Sequence, residues 1–303
     1  MYSVVIPTKN RPEDLKKLCD SLISQTEKPS QIVIIDQSEE NNIRDMKVPD
    51  QIELKHLRCP NVTGLTQAKN IGVRECTNEI IFFFDDDIIC DEDFCEKIMT
   101  HFRKNPQLYG ICGRQKNSKS SKMKVLAFSF FHQGAFKDIR KKCNSGYVKS
   151  ALVETNVLPG GITAYKREVF DEFQFDELLI RYCLGEDMDF SYRVYSKYKL
   201  AFATDALALH NHSQVGRYNA LESYACKVAG YAYFYKKNVK KNIIANLSYK
   251  LVNWGIIVDA LTYSIKHKNL DAILGYKKGK GYLKKNFYGV PFLDYERMKE
   301  KYD

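Results

Sequence analysis

Short apolar runs alternate with amphipathic segments over the first third of the chain. Residues 3–6 and 31–35 are continuous apolar or β-branched runs that end at Pro7 and Asp36, a pattern typical of strands buried on both faces. The segment between them has Pro12 at a helix first-turn position, followed by apolar residues at helical spacing. This alternation predicts a mainly parallel, Rossmann-like α/β sheet flanked by helices.

The alternation of predicted strands and helices continues up to residue 113. Further strands are predicted at 52–57, 79–84 and 110–113, and further helices at 66–76 and 92–102. Asp36 follows the second predicted strand, and Asp85, Asp86 and Asp87 follow the strand at 79–84. Open α/β sheets bind ligands in the crevice at the carboxyl ends of their strands. We therefore expect a ligand site at this edge.

Composition narrows the class of protein. The 303 residues are 44% hydrophobic and 28% charged, which excludes wholesale disorder. The N-terminus lacks the basic and apolar regions of a signal peptide, and no apolar run approaches the ~20 residues that span a bilayer. The nine cysteines are scattered without a C-x-x-C pair, which predicts reduced thiols in a cytoplasmic protein.

Positive charge is concentrated in two segments. Residues 113–150 contain 10 basic residues and one acid, Asp138, around an apolar island at 125–131. Residues 216–303 contain 17 basic and 7 acidic residues, together with 12 of the 20 tyrosines. Such an uneven distribution of charge usually indicates that the segments bind a partner. Lysine and tyrosine side chains together are typical of proteins that bind an anionic membrane surface. A solvated helical extension is the alternative. Nucleic acid is not expected, because the sequence has no helix-turn-helix signal, RNP motif or metal-finger spacing.

Seven short motifs occur in a fixed order along residues 1–215. They are VVIPTKNR at 4–11, VIIDQS at 33–38, GLTQAKNIG at 64–72, FDDD at 84–87, GGITAYKR at 160–167, GEDMD at 185–189 and LHNHS at 209–213. The ordered set resembles the family-2 glycosyltransferases, GT-A-fold enzymes that use nucleotide-sugar donors. The resemblance implies a catalytic domain at 1–215 with an acceptor-side insert at 113–150, and a helical basic extension at 216–303.

The resemblance also implies a set of donor-binding residues. The residues implied to bind the nucleotide sugar are Pro7, Thr8, Arg11, Asp36, Lys69, Asn70, Asp85, Asp86 and Gly161. Asp36 would accept hydrogen bonds from the ribose or the base, although an acid there also suits a helix cap. For Lys69 and Asn70, a solvated lysine and a packing hydrogen bond are the alternatives.

A divalent metal, Mn²⁺ or Mg²⁺, is expected at the acidic run. Three adjacent acids repel each other unless a cation sits there, and a departing diphosphate needs its charge neutralised. The resemblance implies that Asp87 ligates the metal, with Asp85 beside it and His210 as a further ligand. His212 would share a strand face with His210, and the sequence does not decide between the two.

Asp187 is the expected general base. Inverting transfer displaces the diphosphate directly, so the acceptor hydroxyl must lose its proton as it attacks. The resemblance assigns that proton to Asp187, with Glu186 holding the acceptor or orienting the base. Both acids also suit the first turn of a helix.

The resulting prediction is an inverting enzyme that moves a hexose from a UDP- or dTDP-sugar, with dTDP-rhamnose favoured by analogy. The acceptor would be a saccharide, free or linked to a polyisoprenyl phosphate at the inner face of the cell membrane. A catalytically silent sugar-nucleotide or membrane-binding module is the alternative, and retention of configuration stays open. A dinucleotide dehydrogenase is excluded, because residues 7–12 read PTKNRP rather than G-x-G-x-x-G.

Overall fold

The computed structural model describes residues 1–40, 46–181, 184–213 and 218–302. Over these residues nine strands form one sheet in the order β3-β2-β1-β4-β8-β6-β9-β5, with β7 on β9. The strands are β1 Ser3–Thr8, β2 Gln31–Asp36, β3 Glu53–Arg58, β4 Ile80–Phe84, β5 Ile88–Cys90, β6 Leu108–Gln115, β7 Leu152–Glu154, β8 Ile162–Lys166 and β9 Lys199–His210. The helices are α1 Pro12–Ile23, α2 Leu65–Glu75, α3 Phe94–Lys104, α4 Lys122–Phe131, α5 Arg140–Asn144, α6 Glu186–Tyr195, α7 Ala220–Asn238, α8 Ile243–His267, α9 Asp271–Lys284 and α10 Tyr295–Tyr302.

The predicted α/β architecture is confirmed, and the sheet has two unlike halves. β3, β2, β1 and β4 run parallel, joined by helical crossovers as the apolar pattern indicated. β8 is antiparallel to both β4 and β6, and β5 and β7 are antiparallel to β9. The sheet is thus more mixed than the first three strands suggested, because the later strands pair at long range along the chain.

The sheet is buried on both faces. Alternate residues of β1 and β4, such as Val4 and Phe82, pack on one face against α1 and α3. Their neighbours, such as Val5 and Phe83, pack on the other face against α2 and α6. Side chains of a strand point alternately to opposite faces, so both sets must be apolar, and this produces the continuous apolar runs in the sequence.

The C-terminal helices are part of the same packed structure. Leu179 shares an apolar cluster with residues of α7 and with Phe292. Phe136 of the insert and Met188 of α6 share another with Phe234 and Val252. The expected helical character of this region agrees with α7–α10. The domain boundary predicted after residue 215 lies outside the described residues and stays a prediction.

Two properties of the described residues bear on the expectations above. No helix in the described ranges is long and apolar enough to cross a membrane. Eight cysteines are free thiols; Cys183 lies outside the described residues.

Candidate active site

A cleft of about 780 Å³ opens at the carboxyl ends of β1 and β4. Because β1 and β4 are parallel neighbours, their carboxyl ends meet at the same edge of the sheet. Residues from the start of α6 and the end of β9 complete the cleft. The predicted site residues that line it are Pro7, Thr8, Arg11, Asp85, Asp86, Asp87, Gly161, Glu186, Asp187 and His210. Five separate sequence motifs therefore converge on one cleft.

Asp85, Asp87 and His210 form a possible metal site. Each offers one ligand atom, and these atoms lie within 4.8 Å of one another. Nε2 of His210 lies 3.0 Å from Oδ1 of Asp87, and the backbone N–H of Ser213 donates to Oδ2 of Asp87 at 3.0 Å. Two carboxylates and an imidazole suit Mn²⁺ chemically. The ring centroid of His212 lies 4.1 Å from that of His210, with the two planes tilted by 32°, and His212 is not a member of this cluster.

Gln115 of β6 was not anticipated from the sequence. Its side-chain amide lies 3.2 Å from Nδ1 of His210. The amide can present either its nitrogen or its oxygen there. With its oxygen toward Nδ1–H, the amide would fix the imidazole tautomer whose Nε2 carries no proton and can ligate a metal. A single glutamine at the end of a strand carries no sequence signal for this contact, which depends on β6 and β9 pairing.

Asp86 binds protein groups rather than open solvent. Arg11 donates to its Oδ1 and Thr8 donates to its Oδ2, each at 2.8 Å. Burial raises the pKa of Asp86 to about 6, and the Arg11 guanidinium opposes that rise. Asp86 therefore ties the end of β1 to the acidic run, so that Thr8 and Arg11 stand at the cleft.

Two consecutive glycines separate the two groups of acids. A Cβ atom on Gly161 would lie 2.1 Å from Oδ2 of Asp85, and one on Gly160 would lie 2.4 Å from Oε1 of Glu186. Any side chain at either position would displace a carboxylate of the site. The two glycines thus make room for Asp85 and Glu186, and the predicted donor contact of Gly161 stays a prediction.

Glu186 forms a buried ion pair with Lys69. Nζ of Lys69 donates to Oε1 of Glu186 at 2.8 Å and to the carbonyl oxygen of Gly160 at 3.1 Å. Within the described residues, Oε2 of Glu186 has no hydrogen-bond partner. Burial raises the pKa of Glu186 to about 7, although the Lys69 ammonium opposes the rise. Burial lowers the pKa of Lys69, but Glu186 and then Asp85 outweigh it and raise the pKa overall. Lys69 thus lies behind the cleft wall and holds Glu186.

Lys69→Met is expected to lower the free energy of unfolding by about 3 kcal/mol near neutral pH, because it leaves Glu186 buried without its cation. The loss should shrink as pH falls, since a protonated Glu186 needs no cation. In the wild type the folded-state pKa of about 7 exceeds the ordinary 4.5, so this group's contribution to stability is lost as pH rises between those values. Urea unfolding at several pH values measures both effects. Lys69→Met/Glu186→Gln is the control and should show little pH dependence; a pH-independent loss in the single variant would contradict the pairing.

Asp187 is held by a residue of the basic insert. Nη1 of Arg140 forms a salt bridge with Oδ2 of Asp187, and the backbone N–H of Met188 donates to its Oδ1 at 2.8 Å. Arg140 is itself fixed by Asp138, whose two oxygens accept from Nε and Nη2. Burial by itself raises the pKa of Asp138, but Arg140 holds it below its usual value. Among ten basic residues of the insert, the sequence did not single out Arg140 for this contact.

Asp36 and Asn70 are not among the residues that line the cleft. The Asp36 side chain is fully buried, and its oxygens lie 2.9 Å from the Ser38 backbone nitrogen and 3.2 Å from Nε2 of His56. The side chain of Asn70 bonds to both backbone groups of Phe175 at 3.0 Å. Asn70 therefore makes the packing hydrogen bonds that the sequence left open as the alternative, and donor binding by Asn70 stays a prediction. Contact between Asp36 and the donor stays a prediction. The complete burial of the Asp36 side chain argues against it.

The fold and the cleft define a class of enzyme. A mixed sheet with acids at the end of its fourth strand, a possible Asp–Asp–His metal site and helices on both faces has the architecture of the GT-A glycosyltransferases. The chain aligns with a crystal structure of S. aureus TarS 1-349 at a TM-score of 0.55 and 15% identity, covering 87% of this chain and 73% of that one. It aligns with GalNAc-T7 with UDP, GalNAc and Mn²⁺ at a TM-score of 0.57 and 17% identity, covering 88% and 57%.

The family model "Glycosyl transferase family 2" matches residues 3–173, so the chain belongs to the family-2 glycosyltransferases. O-antigen chain rhamnosyltransferase RfbN of Salmonella typhimurium is 25% identical over 223 residues, 71% of this chain and 68% of its own length. WbaN of Salmonella anatum, also named an O-antigen chain rhamnosyltransferase, is 25% identical over 227 residues, with the same two coverages. The predicted family, fold and enzyme class are thereby confirmed.

Proposed function

We propose that this protein is an inverting, divalent-metal-dependent hexosyltransferase. It takes a sugar from a UDP- or dTDP-sugar donor and transfers it to a saccharide acceptor of a surface polysaccharide. The observation that carries the proposal is the Gly160–Gly161 segment: Asp85 of the possible metal site approaches one glycine, and Glu186 and Asp187 approach the other. A residue that can hold a metal ion and a candidate base are thus packed against the same two glycines.

The proposed roles follow from these positions. When bound, a divalent cation at Asp85, Asp87 and His210 supplies positive charge for the departing diphosphate. Pro7, Thr8 and Arg11 line the nucleotide side of the cleft. Asp187 removes the proton of the acceptor hydroxyl, while Arg140 and the Met188 N–H each bind one of its oxygens and fix its orientation. Fixing the base in this way removes an entropy cost from the reaction.

The similarity to two rhamnosyltransferases favours dTDP-rhamnose among the donors. At 25% identity, this is a proposal about the donor that needs its own test. We further propose that the acceptor is linked to a polyisoprenyl phosphate and is met at the cytoplasmic face of a membrane, to which the protein attaches peripherally. The basic insert and basic C-terminal helices support this placement.

A thermal-shift screen tests the donor site. UDP, dTDP, GDP and their sugars are added separately, each with Mn²⁺ and with a chelator as the control. A ligand present at about a hundred times its Kd stabilises the folded state by about 2.7 kcal/mol, which raises Tm by several degrees. We expect a metal-dependent rise for UDP or dTDP and none for GDP. If no nucleotide raises Tm under any condition, the proposed donor site would be wrong, and a membrane-binding module of the same fold without catalytic activity would be favoured.

A further inference from the structure

Helix α8 exposes a stripe of large apolar side chains. They recur at intervals of seven, four, three and four residues, a spacing that places side chains on one face of a helix. The exposed members are Leu247, Trp254, Val258, Leu261 and Ile265. Trp254 is 65% exposed and Ile265 is 78% exposed. The opposite side of α8 is buried against the protein and includes Val252, Ile256 and Ala260. The exposed apolar side chains are therefore not needed to pack α8 onto the rest of the protein.

Helix α4 of the insert extends this apolar surface. A Cβ atom on Gly255 of α8 would lie 2.7 Å from Cβ of Phe131, which shows how closely α4 lies against α8. Met123, Leu126 and Phe130 of α4 are 81%, 72% and 60% exposed. We call these three residues and the five of α8 the α4/α8 face. An apolar surface built from two packed helices is uncommon on a protein that has no partner there.

The charges around the α4/α8 face are positive. Lys122, Lys124, Lys250 and Lys266 of the same two helices are exposed. Their single acid, Asp259, accepts hydrogen bonds from Lys227 and Tyr224 of α7. A second copy of the chain would bring its own lysines against these, which is unfavourable. An anionic surface would complement both the charges and the apolar side chains between them.

We infer that the α4/α8 face is the surface by which this protein lies on an anionic lipid bilayer. α8 would lie in the plane of the interface, with its aliphatic side chains and Trp254 in the acyl boundary and its lysines at the headgroups. This deepens the membrane part of the proposed function. It also brings the bilayer close to the candidate base, since α4 leads through a short turn at Gly134–Phe136 to α5, where Arg140 binds Asp187.

Co-sedimentation with vesicles tests the inference. The full chain is mixed, without donor, with phosphatidylcholine vesicles or with vesicles that also contain phosphatidylglycerol. We expect binding to the anionic vesicles that weakens as salt rises, because the lysine contribution is screened. Trp254→Ser/Ile265→Ser removes two exposed anchors and should reduce binding by tenfold or more, about the effect of losing a buried side chain of this size. Lys250→Glu/Lys266→Glu should reduce binding mainly at low salt.

Two matched variants serve as controls. Tyr195→Ser removes an exposed aromatic on α6, and Lys17→Glu/Lys104→Glu reverses two exposed charges on α1 and α3; both should bind vesicles as the wild type does. The far-UV circular dichroism spectrum and the Tm without ligand, both at their wild-type values, confirm that each variant is folded. The inference is overturned if the wild type ignores anionic vesicles at low salt, or if Trp254→Ser/Ile265→Ser binds unchanged. It is also overturned if the wild type is a dimer that this double variant converts to a monomer, since a second copy would then cover the face. Because no donor is present, none of these outcomes bears on sugar transfer.

Discussion

Asp187→Asn is expected to lower the rate of sugar transfer by about a thousandfold while leaving donor binding intact. The amide keeps the size of the carboxylate but cannot accept the proton of the acceptor hydroxyl, and general-base catalysis typically contributes about 10²–10⁴ in rate. Asp187 lies in the first turn of α6, beside Gly160 rather than in the metal cluster. The measurement pairs kcat for transfer with the nucleotide-induced Tm shift.

The control for this variant is Asp171→Asn, which makes the same change at an exposed acid outside the cleft. It should leave both readouts at their wild-type values. If Asp187→Asn kept turnover within about tenfold of the wild type, Asp187 would not be the base. If it lost the Tm shift as well, the variant would have disturbed the cleft as a whole, and the Arg140 contact would be the first place to look for the cause.

Asp87→Asn is expected to abolish the metal-dependent part of nucleotide binding. Asp87 is 2% exposed, its oxygens face His210 and the Ser213 N–H, and it belongs to the single Asp–Asp–His cluster found among the described residues. Removing its charge should lower metal affinity by more than about a hundredfold, since even an outer partner of a metal ligand contributes about 10–100-fold. Titration of Mn²⁺ followed by calorimetry measures this directly, without any turnover.

The two histidines at the end of β9 provide the matched comparison. His210→Gln should weaken Mn²⁺ binding strongly, because Nε2 of His210 is a ligand atom of the cluster. His212→Gln should leave Mn²⁺ binding close to the wild-type value, because His212 contacts the His210 ring and is not a member of the cluster. Equal losses in the two variants would contradict this assignment and move the metal toward His212.

The local pattern predicted the donor half of the fold well. The signals for β1, β2 and α1 lie within each segment. The apolar runs of β1 and β2 are followed by Pro7 and Asp36, and Pro12 stands at the start of α1. α3 and β6 were found with ends displaced by a few residues. β5 was missed, because Ile88–Cys90 is three residues long and exists as a strand through its pairing with β9.

The site was predicted as a set of motifs. The structure distinguishes the motif residues that lie at the cleft from those that pack elsewhere. Asp85, Asp87 and His210 are brought together from β4 and β9, as the motif order implied. Lys69 is instead buried against Glu186, and Asn70 is bonded to Phe175. A residue's place in a motif does not tell which way its side chain points along a helix. That direction depends on what packs against α2 in the folded protein.

The sequence by itself determined the family, the parallel half of the sheet, the acids at the end of β4 and the positive charge of the insert and C-terminal helices. These are local properties, since composition, periodicity and motif order need no knowledge of what lies nearby in space. Only the tertiary structure decided that Arg140 binds Asp187, that Gln115 reaches His210, and that α4 packs against α8. These contacts join residues 47 positions apart (Arg140 and Asp187), 95 apart (Gln115 and His210) and 124 apart (Phe131 and Gly255), and such contacts depend on how the whole chain packs.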